Sequence, residues 1–311
     1  MYVVRHTKTC PDHLKGSVLA LGNFDGVHRG HQTILKAVKE KAEALDAPAA
    51  IMTFEPHPLA LLKPEAAPSI LTPLRQKLGL FLSLGMDMIV VQRFSRVFSE
   101  LSGEEFVRKV LFQELAVQHL VIGHDFIFGH KRSGNAELLK RLAAEEGIGF
   151  TQLAAQGEED TVFSSTKIRA HLAAGNVEVA AKLLGRPYAI QGRVIKGAGQ
   201  AGQALGFPTA NIRLKRSCTV PYGVYAVSVA IEGESQCYQG VANIGVKPTF
   251  GLAEPLLEVH LFDVNRDIYG KHIEVNLLTF LRLERKFETI EALKAQIARD
   301  ADAARTYNIK S

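Results

Sequence analysis

The sequence has no tryptophan, three cysteines and four methionines in 311 residues. No apolar run reaches the 18 or so residues of a membrane-spanning helix, so no membrane association is expected. Cys10, Cys218 and Cys237 are odd in number and scattered. They make neither a disulfide framework nor a CxxC metal pair, and a reducing, cytoplasmic setting is the expectation. The opening MYVVRHTKTCPDH lacks a basic stretch followed by an apolar core, so no signal peptide is expected. Charge of one sign is not concentrated either. Residues 1–185 carry 21 Lys and Arg against 20 Asp and Glu, and residues 186–311 carry 16 against 12, for a net +5. The densest basic clusters are Arg213/Lys215/Arg216 and Arg285/Lys286. The long basic stripe with interleaved aromatics that marks a nucleic-acid binder is missing, so no nucleic-acid partner is expected. Scattered positive charge suits a small anion such as ATP. What is present, 47% apolar and 22% charged residues, is an ordinary globular composition, and the length predicts two domains.

Residues 1–185 alternate between strand and helix patterns. Strands are predicted at 17–21, 49–54, 87–92, 118–123 and 149–153, and helices at 31–45, 73–84, 104–115 and 137–146. Two short helices follow, at 165–174 and 177–184. Such alternation implies crossovers and a mostly parallel sheet covered on both faces. The pattern changes at Gly185-Arg186-Pro187. Strands are predicted at 188–196, 223–231, 236–242, 256–264 and 272–280, with turns at Glu232-Gly233 and Tyr269-Gly270, before one helix at 290–305. The expected architecture is α/β: a domain over 1–185 with a parallel sheet, then over 186–311 a small antiparallel β-barrel with a terminal helix.

GNFDGVHRGH (22–31) joins a strand to a helix. Gly22, Gly26 and Gly30 permit a tight turn and close backbone approach to a ligand. The helix N-terminus favours phosphate, and His28 and His31 at its mouth suit donation to phosphate oxygens. The same string also fits a plain glycine turn with two surface histidines. A zinc site fits less well, because no Cys lies nearby and no Asp or Glu stands at helical spacing. SSTKIR (164–169) opens a later helix, and Ser164 or Ser165 suits its N-cap. Lys167 and Arg169 in the first turn oppose the helix dipole, which an anion between them would offset.

HxGH followed by SSTxIR resembles the Rossmann-like nucleotidyltransferases. With TFEPHP (53–58) and GHDFIFG (123–129), the strings resemble the FMN adenylyltransferase module of bacterial bifunctional FAD synthetases. The resemblance implies that His28 and His31 hold ATP phosphates in a loop containing Gly22, Phe24 and Gly26. It implies that Asp125 contacts the nucleotide and that Ser164, Thr166, Lys167 and Arg169 hold the triphosphate. His57 and Pro58 would line the flavin side. Pro56 and Pro58 predict a stiff, non-helical stretch there. The family commonly carries Arg where Ile127 stands.

GRVIKGAGQAGQALGFPTANI (192–212) contains GAGQAG, a formal GxGxxG. Pro208 follows too soon for the helix a dinucleotide site requires, and no Asp or Glu stands about 20 residues on. A P-loop fails too, because Gln203-Ala204 follow Gly202. A glycine flap (Gly197, Gly199, Gly202) joined to a rigid PTAN remains. Its amides suit phosphate. Thr209 and Asn211 alternate along an extended segment, and their oxygens are hard ligands suited to Mg²⁺. An exposed turn with ordinary hydrogen bonds fits the spacing equally well. Downstream, LEVHLFD puts Glu258, His260 and Phe262 on one strand face, and Glu258 suits acceptance of a hydroxyl proton. A merely solvent-facing glutamate is the plainer reading.

LGFPTANI, PYGVYAV (221–227), GVANIGVKPTF (240–250), LEVHLFD (257–263) and YG (269–270) resemble the riboflavin kinase module. By that resemblance Thr209 and Asn211 coordinate Mg²⁺, Glu258 is the base for the ribityl hydroxyl, and the flap, Phe207 and Asn243 lie by nucleotide and flavin. The family often has a basic residue where Gln200 or Gln203 falls, and Arg where Lys247 stands. The resemblance therefore implies two ATP-dependent steps, riboflavin to FMN and FMN to FAD, with ATP, riboflavin, FMN and FAD as ligands. A single-activity enzyme, one module being kept for binding or stability, is the alternative.

Overall fold

The structure is a computed structural model that describes residues 2–155, 157–158, 161–195, 207–214, 219–249 and 252–307. The flap residues Gly197, Gly199, Gln200, Gly202 and Gln203 lie outside them. The chain divides into two compact units, Met1–Ser165 and Thr166–Ser311.

The first unit carries six parallel strands: β1 (Tyr2–Val4), β2 (Val18–Leu21), β3 (Ala49–Glu55), β4 (Met88–Arg93), β5 (His119–Ile122) and β6 (Gly149–Gln152). Their order is β1-β4-β3-β2-β5-β6, and every neighbouring pair is parallel. The helices are α1 (Arg29–Ala44), α2 (Pro58–Leu62), α3 (Leu74–Ser83), α4 (Arg96–Ser99), α5 (Gly103–Glu105) and α6 (Ala136–Glu145). The predicted helix at 104–115 is wound more widely than expected, as a π-helix over Phe106–Glu114. The strands are apolar on both faces, as a covered parallel sheet requires. Val18, Ala20 and Ile51 pack toward α1 and α3 with Leu35, Val38 and Phe81. Leu19, Leu21 and Met52 join a second core with Val107, Leu111 and Leu142. The three-residue β1 falls where no strand is predicted. A short antiparallel pair, β7 (Gly157–Glu158) and β8 (Thr161–Val162), follows β6.

The helix α7 (Ser165–Ala173) begins at the last residue of this unit, and α8 (Val177–Leu184) comes next. The division falls ahead of residue 185 because α8 packs on strands of the second unit, where the side chain of Glu178 accepts a hydrogen bond from Thr279.

The second unit is one antiparallel sheet: β9 (Tyr188–Arg193), β10 (Ala210–Arg213), β11 (Gly223–Ile231), β12 (Cys237–Thr249), β13 (Leu252–Leu261) and β14 (His272–Leu283). Its order is β10-β13-β12-β11-β14-β9. A bridge between Ile195 and Asn211 brings the two edges together, which curls the sheet toward a barrel. Two register shifts in the β11–β14 pairing supply part of the bend. Tyr225, Val227, Leu257, Val259, Val275 and Leu277 are almost fully buried. Val224, Ala226, Val241 and Phe262 point the other way, under α9 (Ile290–Arg305), against Ala301 and Ala304. Arg282 clamps that helix through the Asp300 carboxylate, at 3.0 Å from Nε and 2.6 Å from Nη2.

Candidate active sites

In the first unit three strings follow neighbouring strands: GNFDG after β2, EPHP at the end of β3 and GHDFIFG after β5. All three therefore gather at the carboxyl ends of the central strands, the place where open α/β sheets bind ligands. The β2 loop is held in an unusual backbone path. Phe24 has φ +50°, Gly26 +88° and Val27 +42°. A left-handed Val is costly, and such strain persists only where surrounding contacts over-determine it. Those contacts are present. The Asp25 carboxylate accepts the amides of Leu71 and Thr72 at 3.1 and 3.0 Å, and the Ser165 hydroxyl donates to the Asp25 carbonyl at 2.8 Å. The Lys77 ammonium, from α3, donates to the Asn23 carbonyl at 3.0 Å and to Thr53 Oγ1 at 3.1 Å. Burial pushes the Lys77 pKa down, with Asp25 and Glu55 pulling the other way.

The loop delivers two imidazoles to the start of α1. His28 is the N-cap, with Nδ1 accepting the His31 amide at 3.3 Å. A neutral imidazole that accepts at Nδ1 carries its proton on Nε2, so that end is a donor. The rings of His28 and His31 stack at 3.6 Å, 16° apart, and the buried Phe24 meets His31 edge-on at 5.1 Å. His28 is buried and His31 half-buried. The structure thus brings Gly22, Phe24, Gly26, His28 and His31 together.

His57 caps α2, accepting the Leu59 amide at 3.2 Å, and Pro58 is the first helical residue. The expectation of a non-helical stretch fails from Pro58 on, because at that first position the missing N–H is one the helix leaves unpaired anyway. Asp125 is largely exposed, 3.8 Å from His124 Nδ1. Six phenylalanines not singled out from the sequence run from the end of β3 to the GHDFIFG loop. They are Phe54, Phe94, Phe98, Phe106, Phe128 and Phe126, with successive centroids 5.4–6.1 Å apart in that order. Ser164 directly precedes α7; on that helix Thr166 and Lys167 are exposed and Arg169 half-buried.

In the second unit the candidates are aligned by strand register. Asn211 on β10 lies opposite Glu258 on β13, and Glu258 lies opposite Asn243 on β12. Directly paired residues share a sheet face, so the three side chains form one row. Asn243 donates to Glu284 Oε1 at 2.9 Å. Asn211 is buried; its Nδ2 donates to the Thr209 carbonyl at 3.2 Å. Its Oδ1 is a buried acceptor that finds no hydrogen-bond partner among the described residues. A hard oxygen left so, beside a carboxylate and a threonine, fits a hard cation such as Mg²⁺. Phe207 is half-buried and meets His260 edge-on at 5.3 Å.

The FAD synthetase family matches residues 10–167, and the riboflavin kinase family matches 184–308. The chain belongs to the bifunctional riboflavin kinase/FMN adenylyltransferase family. The enzyme of that name from Escherichia coli (strain K12) is 43% identical over 94% of this chain and 93% of its own. That from Haemophilus influenzae is 40% identical over 99% of both. A solved structure, described as a macrolide-efflux protein from Streptococcus pneumoniae, matches with a TM-score of 0.87 and 30% identity over 99% of both chains. Among the described residues no helix is long and apolar enough to cross a membrane. Membership of this family makes the chain a bifunctional enzyme whose two domains stand in the order read from the sequence.

Lys77 and the phenylalanine cluster are what sequence reasoning missed. Lys77 sits in the apolar stripe Leu74, Lys77, Leu78, Phe81 of α3, and a lysine in such a stripe was the available signal.

Proposed function

We propose that this chain makes FAD from riboflavin in two ATP-dependent steps, with phosphorylation on the barrel and adenylyl transfer on the parallel-sheet unit. The division of labour assigns adenylyl transfer to 1–185 and the kinase to 186–311. The observation that carries the reading is the in-register row of Asn211, Glu258 and Asn243 on β10, β13 and β12. It sets a carboxylate between two amides, in a unit other than that of the stacked histidines.

In the kinase step Glu258 takes the proton of the ribityl hydroxyl as that oxygen bonds to the γ-phosphorus of ATP. The bond from phosphorus to the β–γ bridging oxygen breaks, and ADP leaves. Thr209 and Asn211 would hold Mg²⁺, which when bound neutralises charge on the phosphate oxygens. Gly197, Gly199 and Gly202 supply backbone amides to phosphates, and Phe207 and Asn243 line the nucleotide and flavin.

In the second step an FMN phosphate oxygen bonds to the α-phosphorus of a second ATP, and pyrophosphate leaves. His28 donates from Nε2 to the phosphates, together with His31 and the amides at the start of α1. Gly22, Phe24 and Gly26 shape the loop around the phosphates. Ser164, Thr166, Lys167 and Arg169 hold the triphosphate, and Asp125 the nucleotide. His57, Pro58 and the half-buried phenylalanines at the end of the cluster form the flavin side.

The deciding experiment is a chromatographic time course with riboflavin and excess MgATP. FMN that rises and then yields to FAD is the expected result; FMN that only accumulates would leave a kinase alone.

A further inference from the structure

We propose that His260 is a positioning residue for the kinase step: its imidazole holds the Pro208 carbonyl and thereby fixes Thr209 and Asn211 beside Glu258. This rests on the reading that Thr209 and Asn211 hold Mg²⁺.

The need for such a residue follows from the ladder. The β10–β13 pairing runs from Arg213↔Leu256 to Ala210↔Val259 and ends there. Pro208 has no N–H, so backbone pairing cannot carry on through it. Thr209 stands directly outside the last pair, and Asn211 only one residue inside it. A ligand segment that frays at this point would lose the registry that sets its oxygens next to the carboxylate.

His260 supplies what the ladder lacks. It lies two residues after Glu258 on β13, on the same face. Its Nδ1 is 2.9 Å from the Pro208 oxygen. A carbonyl only accepts, so Nδ1 carries the proton and donates, which fixes the tautomer. The ring also meets Phe207 at 5.3 Å and 80°, and Phe262 at 5.8 Å and 70°. Phe262 belongs to the small core under α9. The imidazole thus ties the segment before β10 to the strand that bears the base, and is itself braced from behind. Thr209 is then held from both sides, by the Ala210 pairing and by the Pro208 carbonyl. Outer-shell partners bonded directly to a metal ligand typically change metal affinity by about 10–100-fold when removed; His260 acts one residue further back, so the low end of that range is expected.

The test uses the full-length enzyme and Mn²⁺ as the probe, with binding of Mn²⁺ plus ADP followed by loss of the free-ion electron paramagnetic resonance signal. His260→Ala is expected to weaken that binding about tenfold and to raise the Mg²⁺ concentration needed for half-maximal riboflavin phosphorylation. Conversion of supplied FMN to FAD should be unchanged, which checks that the chain has folded. His260→Asn places an amide N–H near the position of Nδ1 and should restore most of the binding. His260→Gln, with its amide one carbon further out, should not. Wild-type Mn²⁺ binding in His260→Ala would overturn the proposal. If His260→Ala proves unfolded, equal behaviour of the Asn and Gln variants overturns it, and the expected difference between them supports it. Asn211→Ala separates the two readings. Unchanged Mn²⁺ binding in that variant would sink the Mg²⁺ assignment, whereas weakened binding there with normal binding in His260→Ala would sink the role of His260 alone.

Discussion

The parallel-sheet unit and the barrel place their polar side chains by different physics. In the first, His28 and His31 sit at the end of a loop whose backbone departs from its preferred regions at Phe24 and Val27. Anchors from distant parts of the chain hold it: the amides of Leu71 and Thr72, the Lys77 ammonium and the Ser165 hydroxyl. In the second, Asn211, Glu258 and Asn243 need no unusual backbone. The ladder aligns them, and the alternation of a strand points them one way. A loop site is vulnerable to loss of its anchors. A ladder site is vulnerable to loss of pairing.

The largest expected effect is on Glu258, the proposed base. Glu258→Gln should lower the rate of riboflavin phosphorylation by about 10²–10⁴, the usual worth of a general base, with FMN-to-FAD conversion intact. A parallel fall in FAD made from supplied FMN would break the two-unit comparison. His28→Ala should do the reverse: about 10²–10³ off adenylyl transfer, so that riboflavin turnover stops at FMN. Undiminished FAD output would remove His28 from the mechanism.

Smaller effects concern stability. Asp300→Ala leaves the half-buried Arg282 without its carboxylate and removes one anchor of α9, which Ala301 and Ala304 still pack on the sheet. A cost of roughly 3 kcal/mol is expected, the low end for breaking a buried pair, measured by urea titration. Adenylyl transfer should survive it; equal loss of both activities would tie the units together more closely than the comparison allows. The smallest effect is a slope. Lys77 has a folded-state pKa below its ordinary value near 10.5. Below the lowered folded pKa both states are protonated and the burial cost is fully felt. Between the lowered folded pKa and the unfolded value the unfolded chain binds more protons, so stability rises with pH there. Lys77→Met lacks that gain. Urea titrations at pH 7 and pH 10 should show the wild type gaining on the variant; parallel curves would show that Lys77 is not the buried cation described.

Much of this was legible in the sequence, for identifiable reasons. The strand and helix periods of the first unit are strong because a two-sided parallel sheet demands continuous apolar strands. The barrel strands are marked by alternation, as in Tyr225, Val227, Val229 and Ile231. The motif strings identified both families. Other features lie in the third dimension. No pattern pairs Asp25 with Leu71, or Lys77 with Asn23, because each contact joins a loop to an element brought near only by folding. The phenylalanines reach one another from several separate stretches of chain. The widening over Phe106–Glu114 has the same apolar spacing as an α-helix. Pro58 suggests a non-helical stretch from sequence, yet at the first helical position it is a helix starter.

The alternation that turns Glu258 outward turns Leu257 and Val259 inward, where both are fully buried. A one-residue slip of β13 would therefore sink a carboxylate into the barrel and strand two aliphatic side chains in water, at roughly 1.5–3 kcal/mol for each side chain before the buried charge is counted. Misplacement of Glu258 and collapse of the core are one event. The hydrophobic effect thus proofreads the register: a barrel that survives has, by surviving, put Glu258 in the row with Asn211 and Asn243.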